Sequence, residues 1–233
     1  MAGAGGATLH VLRVFCADDG SGGNPLGVFL DGPTVDEPAR QPIAAELGFA
    51  ETVFVDDRAS GELRIFTPEV ELPLAGHPLV GTAWLLREDD TPLEVLRPPA
   101  GEVSVRFDGE LAFVAGRPEW GPPFEFIEVD SPAEVDNLDG PPAGHGLIGV
   151  WAWADEPRGV IRERVFAADA GVAEDEATGS AAMRLTSLLG REIEIHQGRG
   201  SLIRARPVDG GRAEIGGRVG LDEIRNDPRA GGA

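Results

Sequence analysis

One cysteine, Cys16, stands in a chain of 233 residues, so no disulfide can close within it. Its setting, Val14-Phe15-Cys16-Ala17, reads as a strand end with an inert, buried thiol. Basic residues are scarce. Twenty Lys and Arg against forty Asp and Glu leave a net charge of −20, which opposes nucleic acid and anionic membrane as partners. No apolar run reaches the roughly 18 residues of a membrane span. Met1–Gly6 lacks the basic and apolar regions of a signal peptide and reads as a frayed terminus, so a cytoplasmic protein is expected. The four histidines, His10, His77, His145 and His196, have no His or Cys partner at metal-ligand spacing, and no metal is expected. Walker and Rossmann fingerprints are absent as well. Gly3–Gly6 and Gly20–Gly23 lack the strand–turn–helix context, and no cofactor is expected.

What the chain does have is a duplicated plan. Arg64-Ile65-Phe66 is followed by an acidic loop through Glu69 and Glu71, then by Ala75-Gly76-His77-Pro78 opening the apolar stretch Leu79–Leu86. A hundred residues later, Arg164-Val165-Phe166 is followed by an acidic loop through Glu174 and Asp175. Ala177-Thr178-Gly179-Ser180 then opens Ala181–Leu189. Each copy reads as strand, glycine-bearing loop and helix N-terminus, which presents free backbone N–H groups and a positive dipole end. Two such ends facing across a cleft would hold an anion from both sides.

Scattered glycine (33) and proline (19) suit many short strands joined by tight turns. Strands are expected at Leu9–Phe15, Pro25–Leu30, Thr52–Val55, Leu63–Thr67, Leu93–Arg97, Glu102–Phe107 and Glu110–Ala115, with Asp108-Gly109 as a hairpin turn. Further strands are expected at Leu147–Ala154, Arg162–Ala167, Glu192–Gln197, Ser201–Pro207 and Ala213–Val219. Helices are expected at Ala39–Leu47 with Asp36 as cap and Gly48 as stop, at His77–Arg87, and at Thr178–Leu189 ended by Gly190. Arg117–Gly146 reads as a connection with a loop or short helix near Ser131–Leu138, and Asn226–Ala233 as a disordered tail. The fold class is α+β: two pseudo-symmetric lobes, 1–116 and 117–225, each a curved, mostly antiparallel sheet wrapped around a central helix.

The ordered motifs carry a family resemblance. They are Val14-Phe15, Gly23-Asn24-Pro25-Leu26-Gly27-Val28, Ala44-Ala45-Glu46, Glu51-Thr52-Val53-Phe54-Val55, Arg64–Pro73 and Gly76-His77-Pro78. In the second half they are Arg164–Ala167, Glu174-Asp175, Thr178-Gly179-Ser180-Ala181 and Gln197-Gly198. The chain resembles the PhzF family, phenazine-biosynthesis isomerase-like proteins that share the diaminopimelate epimerase fold. It departs from the family pattern in three places. Glu176 stands where proline is usual, the segment after Gln197-Gly198 is short, and the second half is trimmed between Pro118 and Ile161.

The resemblance implies a cofactor-independent isomerase with Glu51 as general acid/base, moving a proton between carbons of a small carboxylate-bearing substrate. Partial burial would lift the Glu51 pKa toward the working pH. His77, at a helix N-terminus, is expected to be a neutral hydrogen-bond donor. Asp175 and Ser180 complete the implied catalytic set; Asn24, Gly76, Thr178 and Gly179 are the implied substrate-binding residues. In isolation Asp175, Thr178 and Ser180 read equally well as helix caps, and Asn24 as a turn residue. A homodimer is also implied. Relatives of this fold that racemise use paired cysteines, and a chain whose one thiol is Cys16 cannot. Two other readings stay open. One is a binding protein that keeps the fold without turnover. The other is a hydrolase using Ser180, His77 and Asp175, although Ser180 lies outside a Gly-x-Ser-x-Gly elbow.

Overall fold

Alternating burial along Ala7–Cys16 makes strand β1, which pairs antiparallel with β2 (Gly22–Phe29). The computed structural model describes residues 7–142, 146–168 and 172–227. After β2, helix α1 (Glu37–Leu47) ends at Gly48, whose φ of 68° is the left-handed conformation glycine adopts without a Cβ penalty. That stop turns the chain directly into β3 (Glu51–Asp57), followed by β4 (Glu62–Phe66) and β5 (Glu71–Leu72). Helix α2 (Gly76–Glu88) leads to β6 (Val95–Leu96), β7 (Val103–Asp108) and β8 (Leu111–Gly116).

The second half runs β9 (Glu125–Glu128), α3 (Pro132–Asp136), β10 (Ile148–Asp155), β11 (Val160–Ala167) and β12 (Val172–Asp175). It continues with α4 (Gly179–Leu189), β13 (Ile193–Gln197), β14 (Ser201–Val208) and the long β15 (Arg212–Asp227).

Strand pairing repeats the duplication seen in the sequence. In the first half β2 runs parallel to β3, β3 antiparallel to β4, β6 to β7 and β7 to β8, with a parallel bridge from Glu62 at the start of β4 to Arg97. In the second, β9 runs parallel to β10, β10 antiparallel to β11, β11 parallel to β13, β13 antiparallel to β14 and β14 to β15. The halves are joined by β15. Its first part pairs with β14 and β8, and its remainder pairs with β1.

Ten of the thirteen α2 residues are buried, and α4 buries seven of eleven. A helix covered nearly all round belongs inside a sheet. Leu79 and Val80 of α2 share one apolar core with Ala182 and Met183 of α4 and with Ile215 of β15. No helix among the described residues is long and apolar enough to cross a membrane.

The sequence reading needs correction in four places. The acidic loop through Glu174 and Asp175 contains β12, and the Arg117–Gly146 connection contains β9. The first pairs with the adjacent β11 and the second with the more distant β10, and neither is long enough to show a pattern of its own. The strand expected at Leu93–Arg97 shrinks to Val95–Leu96. Asn226 and Asp227 are not disordered. They extend β15, because β1 offers partners as far as Ala7. Met1–Gly6, His145 and 228–233 lie outside the described residues.

Candidate active site

The αL stop at Gly48 places Glu51 at the first position of β3, paired with Leu26 of β2. Its side chain is only 14 % exposed, and its Oε2 lies 3.3 Å from Nε2 of His77. The two atoms are near each other without hydrogen-bond geometry, and neither has another partner among the described residues. Burial, and then the nearby charge of Asp175, push the Glu51 carboxyl well above its ordinary 4.5.

His77 is the second residue of α2 and is 2 % exposed. Burial pushes its pKa down to about 3, and a hydrogen bond to the Pro25 backbone offsets this only in part. The ring is therefore neutral, as expected, but the main cause is desolvation rather than the helix dipole. A proline carbonyl can only accept, so the ring N–H points to Pro25 and Nε2 offers Glu51 a lone pair.

Asp175 ends β12 and is buried. Its Oδ1 accepts from Asn24 Nδ2 at 2.7 Å and its Oδ2 from the Thr178 hydroxyl at 2.7 Å. Burial raises its pKa to about 6 against the opposing pull of those two hydrogen bonds. Gln197 completes the frame. Its Nε2 donates to the Asp175 carbonyl at 2.9 Å and to Thr178 Oγ1 at 3.0 Å, while its Oε1 accepts from the Thr178 backbone N–H at 3.0 Å.

Glu51, Asp175, Thr178 and Ser180 line one cavity of about 50 Å³. Its walls also include Leu72, Leu147, Thr67, Ala167 and Phe124. The duplication explains this lining. Arg64 forks onto Glu71 at 2.7 and 2.6 Å, as Arg164 forks onto Glu174 at 2.7 and 2.7 Å. The next residues, Leu72 and Asp175, are therefore equivalent. Thr52 pairs with Phe66 as Ile148 pairs with Phe166, which makes the preceding residues, Glu51 and Leu147, equivalent. All four line the cavity. Each half supplies one acid and one leucine, at opposite places, so a pseudo-twofold cavity becomes chemically asymmetric.

The two helix N-termini do meet, but at their glycines. A Cβ on Gly76 would lie 2.6 Å from the Gly179 Cα. These two residues pack the helices together and do not appear in the cavity wall. Asn24 likewise stands behind the wall and orients Asp175. Gln197, Leu72 and Leu147 join the site without a role that the sequence assigns them. The Gln197-Gly198 motif marked the first, and only the strand register could have marked the leucines. The hydrolase arrangement is not formed: the His77 nitrogens face Pro25 and Glu51, and the Asp175 oxygens take Asn24 and Thr178.

The family model described as PhzC-PhzF, phenazine biosynthesis-like protein, matches residues 12–115. The trans-2,3-dihydro-3-hydroxyanthranilate isomerase of Pseudomonas chlororaphis is 32 % identical over 246 residues, covering 82 % of this chain and 87 % of that one. An uncharacterized isomerase of Pasteurella multocida is 43 % identical over 83 residues, or 34 % of this chain and 28 % of that protein. The chain matches less than half the length of several such curated relatives. A solved PhzC/PhzF structure from Clostridium difficile superposes with a TM-score of 0.76 over 95 % of this chain and 99 % of that one, at 20 % identity, and shares the fold. With the Pseudomonas chlororaphis relative matched over most of both sequences, the chain belongs to the PhzF family of phenazine biosynthesis-like proteins.

Proposed function

We propose that this protein is a cofactor-independent isomerase that moves a proton between two carbons of a small carboxylate-bearing substrate, with Glu51 as the general acid/base. The observation that carries this reading is the placement of the Glu51 carboxyl in the cavity, close to the neutral His77 and within reach of the charge on Asp175. A carboxyl whose pKa is raised toward the working pH has both protonation states within reach, as a group that takes and returns a proton requires.

In the reaction a C–H bond breaks as its proton passes to a Glu51 oxygen, and the electron pair delocalises into the substrate. The same carboxyl then protonates a second carbon and is restored. His77, with its Nε2 lone pair facing Oε2, accepts a hydrogen bond from Glu51 when the carboxyl is protonated and so steadies that state. Asp175 holds a substrate hydroxyl or amine, and Ser180, at the α4 N-terminus, faces its carboxylate. The related isomerases named for trans-2,3-dihydro-3-hydroxyanthranilate indicate a cyclic hydroxy or amino acid as the substrate class.

The test is proton exchange in D₂O, followed by NMR, with trans-2,3-dihydro-3-hydroxyanthranilate and a panel of small cyclic hydroxy and amino acids. Deuterium entering a carbon position with wild type and not with Glu51→Gln is the expected result. Equal exchange by both proteins would remove Glu51 from the chemistry. Binding without exchange by either would favour a protein that only binds its ligand.

A further inference from the structure

Glu176 follows Asp175 directly, at a position where the family pattern has proline. A glutamate here has a carboxylate that proline lacks, and the structure uses it. Oε1 accepts the Arg199 backbone N–H at 2.8 Å and the Ser201 hydroxyl at 2.9 Å. The Ser201 oxygen in turn accepts the Gly23 backbone N–H at 3.0 Å. Gly23 precedes Asn24, whose side chain donates to Asp175 Oδ1 at 2.7 Å. Chain and hydrogen bonds thus close a ring: Asp175, Glu176, Ser201, Gly23, Asn24 and back to Asp175.

The ring is tightly fitted. Gly198 has a φ of +57°, and a Cβ there would come within 2.4 Å of the Glu176 carboxyl carbon. A Cβ on Gly22 would come within 2.7 Å of the Gly200 backbone. The 198–201 turn is thus packed closely against Glu176 on one side and the start of β2 on the other. The turn also follows Gln197, which holds Asp175 and Thr178 from the other side.

We propose that Glu176 is a positioning residue whose carboxylate locks the turn after Gln197 onto the start of β2 and thereby fixes Asn24 and the Asp175 carboxyl in the cavity wall. The proposal rests on the reading of Asp175 as a cavity group. Its physical basis is preorganisation: a charged acceptor holds two donors from separate segments, and charge-assisted hydrogen bonds are the stronger kind. The negative charge of Glu176 also opposes ionisation of Asp175 and adds to the effect of burial. A solvated surface acid would do neither.

The test uses the ligand-free protein of 233 residues and two variants. Glu176→Gln keeps an acceptor oxygen and removes the charge; Glu176→Ala removes both. Hydrogen exchange at the Arg199 and Gly23 amides is followed by NMR, together with the ¹³C titration of the Asp175 carboxyl. In Glu176→Ala both amides are expected to exchange at least about tenfold faster, with α2 amides unchanged. In Glu176→Gln, which keeps the acceptor and loses the charge assistance, exchange is expected to rise by less than in Glu176→Ala, roughly two- to fivefold, while the Asp175 midpoint, near 6 in wild type, falls by on the order of half a unit. Unchanged Gly23 exchange in Glu176→Ala, or an unchanged Asp175 midpoint in Glu176→Gln, overturns the proposal. The second holds even where the alanine variant fails to fold. No readout needs substrate, so a protein that turns nothing over but shows these shifts keeps Glu176 in this role and loses only the isomerase reading.

Discussion

Glu51 Oε2 and His77 Nε2 face each other at 3.3 Å, and neither has a hydrogen-bond partner among the described residues. A buried polar atom left alone costs about 1–3 kcal/mol. Here two such atoms lie together beside a cavity, as expected of a pair that completes its hydrogen bond when the carboxyl carries a proton. Proton abstraction needs the opposite state, the carboxylate. The exchange rate in D₂O is therefore expected to climb with pH through the Glu51 midpoint, and that midpoint lies well above the ordinary 4.5. A rate already level from about pH 5 upward would contradict this.

Asn24 donates to Asp175 Oδ1 and to the Ala177 carbonyl at 2.9 Å, both in buried surroundings. Asn24→Ala leaves two buried acceptors short of a donor and is expected to destabilise the protein by roughly 1–3 kcal/mol. It also removes a hydrogen bond that favours the ionised acid, so the Asp175 midpoint rises above about 6. Urea denaturation and a ¹³C carboxyl titration check the two effects. A rise in stability, or a falling midpoint, counts against the frame described here.

Glu163 is fully buried, neither carboxyl oxygen has a partner among the described residues, and burial lifts its pKa to about 8. Its counterpart in the first half, one residue before Arg64, is the core residue Leu63. An unfolded chain releases this proton near 4.5, whereas the folded protein holds it to about 8. The folded state binds the extra proton between those values, so stability falls as pH rises across the window. Glu163→Leu is expected to flatten that slope and to stabilise the protein by roughly 1–3 kcal/mol at about pH 8. Urea melts from about pH 5 to about pH 9 measure both; an unchanged slope would show that Glu163 ionises normally.

The Gly76–Gly179 contact joins the two helices with backbone against backbone. In Gly76→Ala the new Cβ would sit 2.6 Å from Gly179 and 2.7 Å from Ile215; in Gly179→Ala it would sit 2.6 Å from Ile215 and 2.8 Å from Gly76. Neither backbone can step aside, so each substitution is expected to cost about 1–3 kcal/mol. Because both open a helix next to a cavity residue, each is also expected to slow proton exchange more than a matched Ala substitution on the outside of α4. Thermal melts and exchange assays on both variants decide this. Wild-type stability in either would mean the helices sit further apart.

Much of this was legible in the sequence. The two Arg–x–Phe strands, their acidic returns and the glycine-led helices are local patterns, and each appears where the motif placed it. Gly48 and Gly190 stop α1 and α4 in the left-handed conformation that glycine favours. Harder to read were the features that depend on distant partners. The short β9 and the outer part of β15 exist because other strands pair with them. Leu72 and Leu147 look like ordinary core leucines until the register makes them the counterparts of the two acids. The site residues divide for the same reason: Glu51, Asp175, Thr178 and Ser180 line the cavity, whereas Asn24, Gly76 and Gly179 support it from behind. A sequence motif marks both kinds alike.

Transfer of the proton itself is the most direct measure of Glu51. Trans-2,3-dihydro-3-hydroxyanthranilate, or whichever panel member exchanges, would be deuterated at the donor carbon and turned over in H₂O by wild type and by Glu51→Gln. Wild type is expected to form product, with part of the deuterium carried to the new carbon. The variant, folded and still able to bind, is expected to be slower by roughly 10²–10⁴-fold. Turnover by Glu51→Gln at the wild-type rate, with the same label transfer, would contradict the assignment of Glu51 as the acid/base.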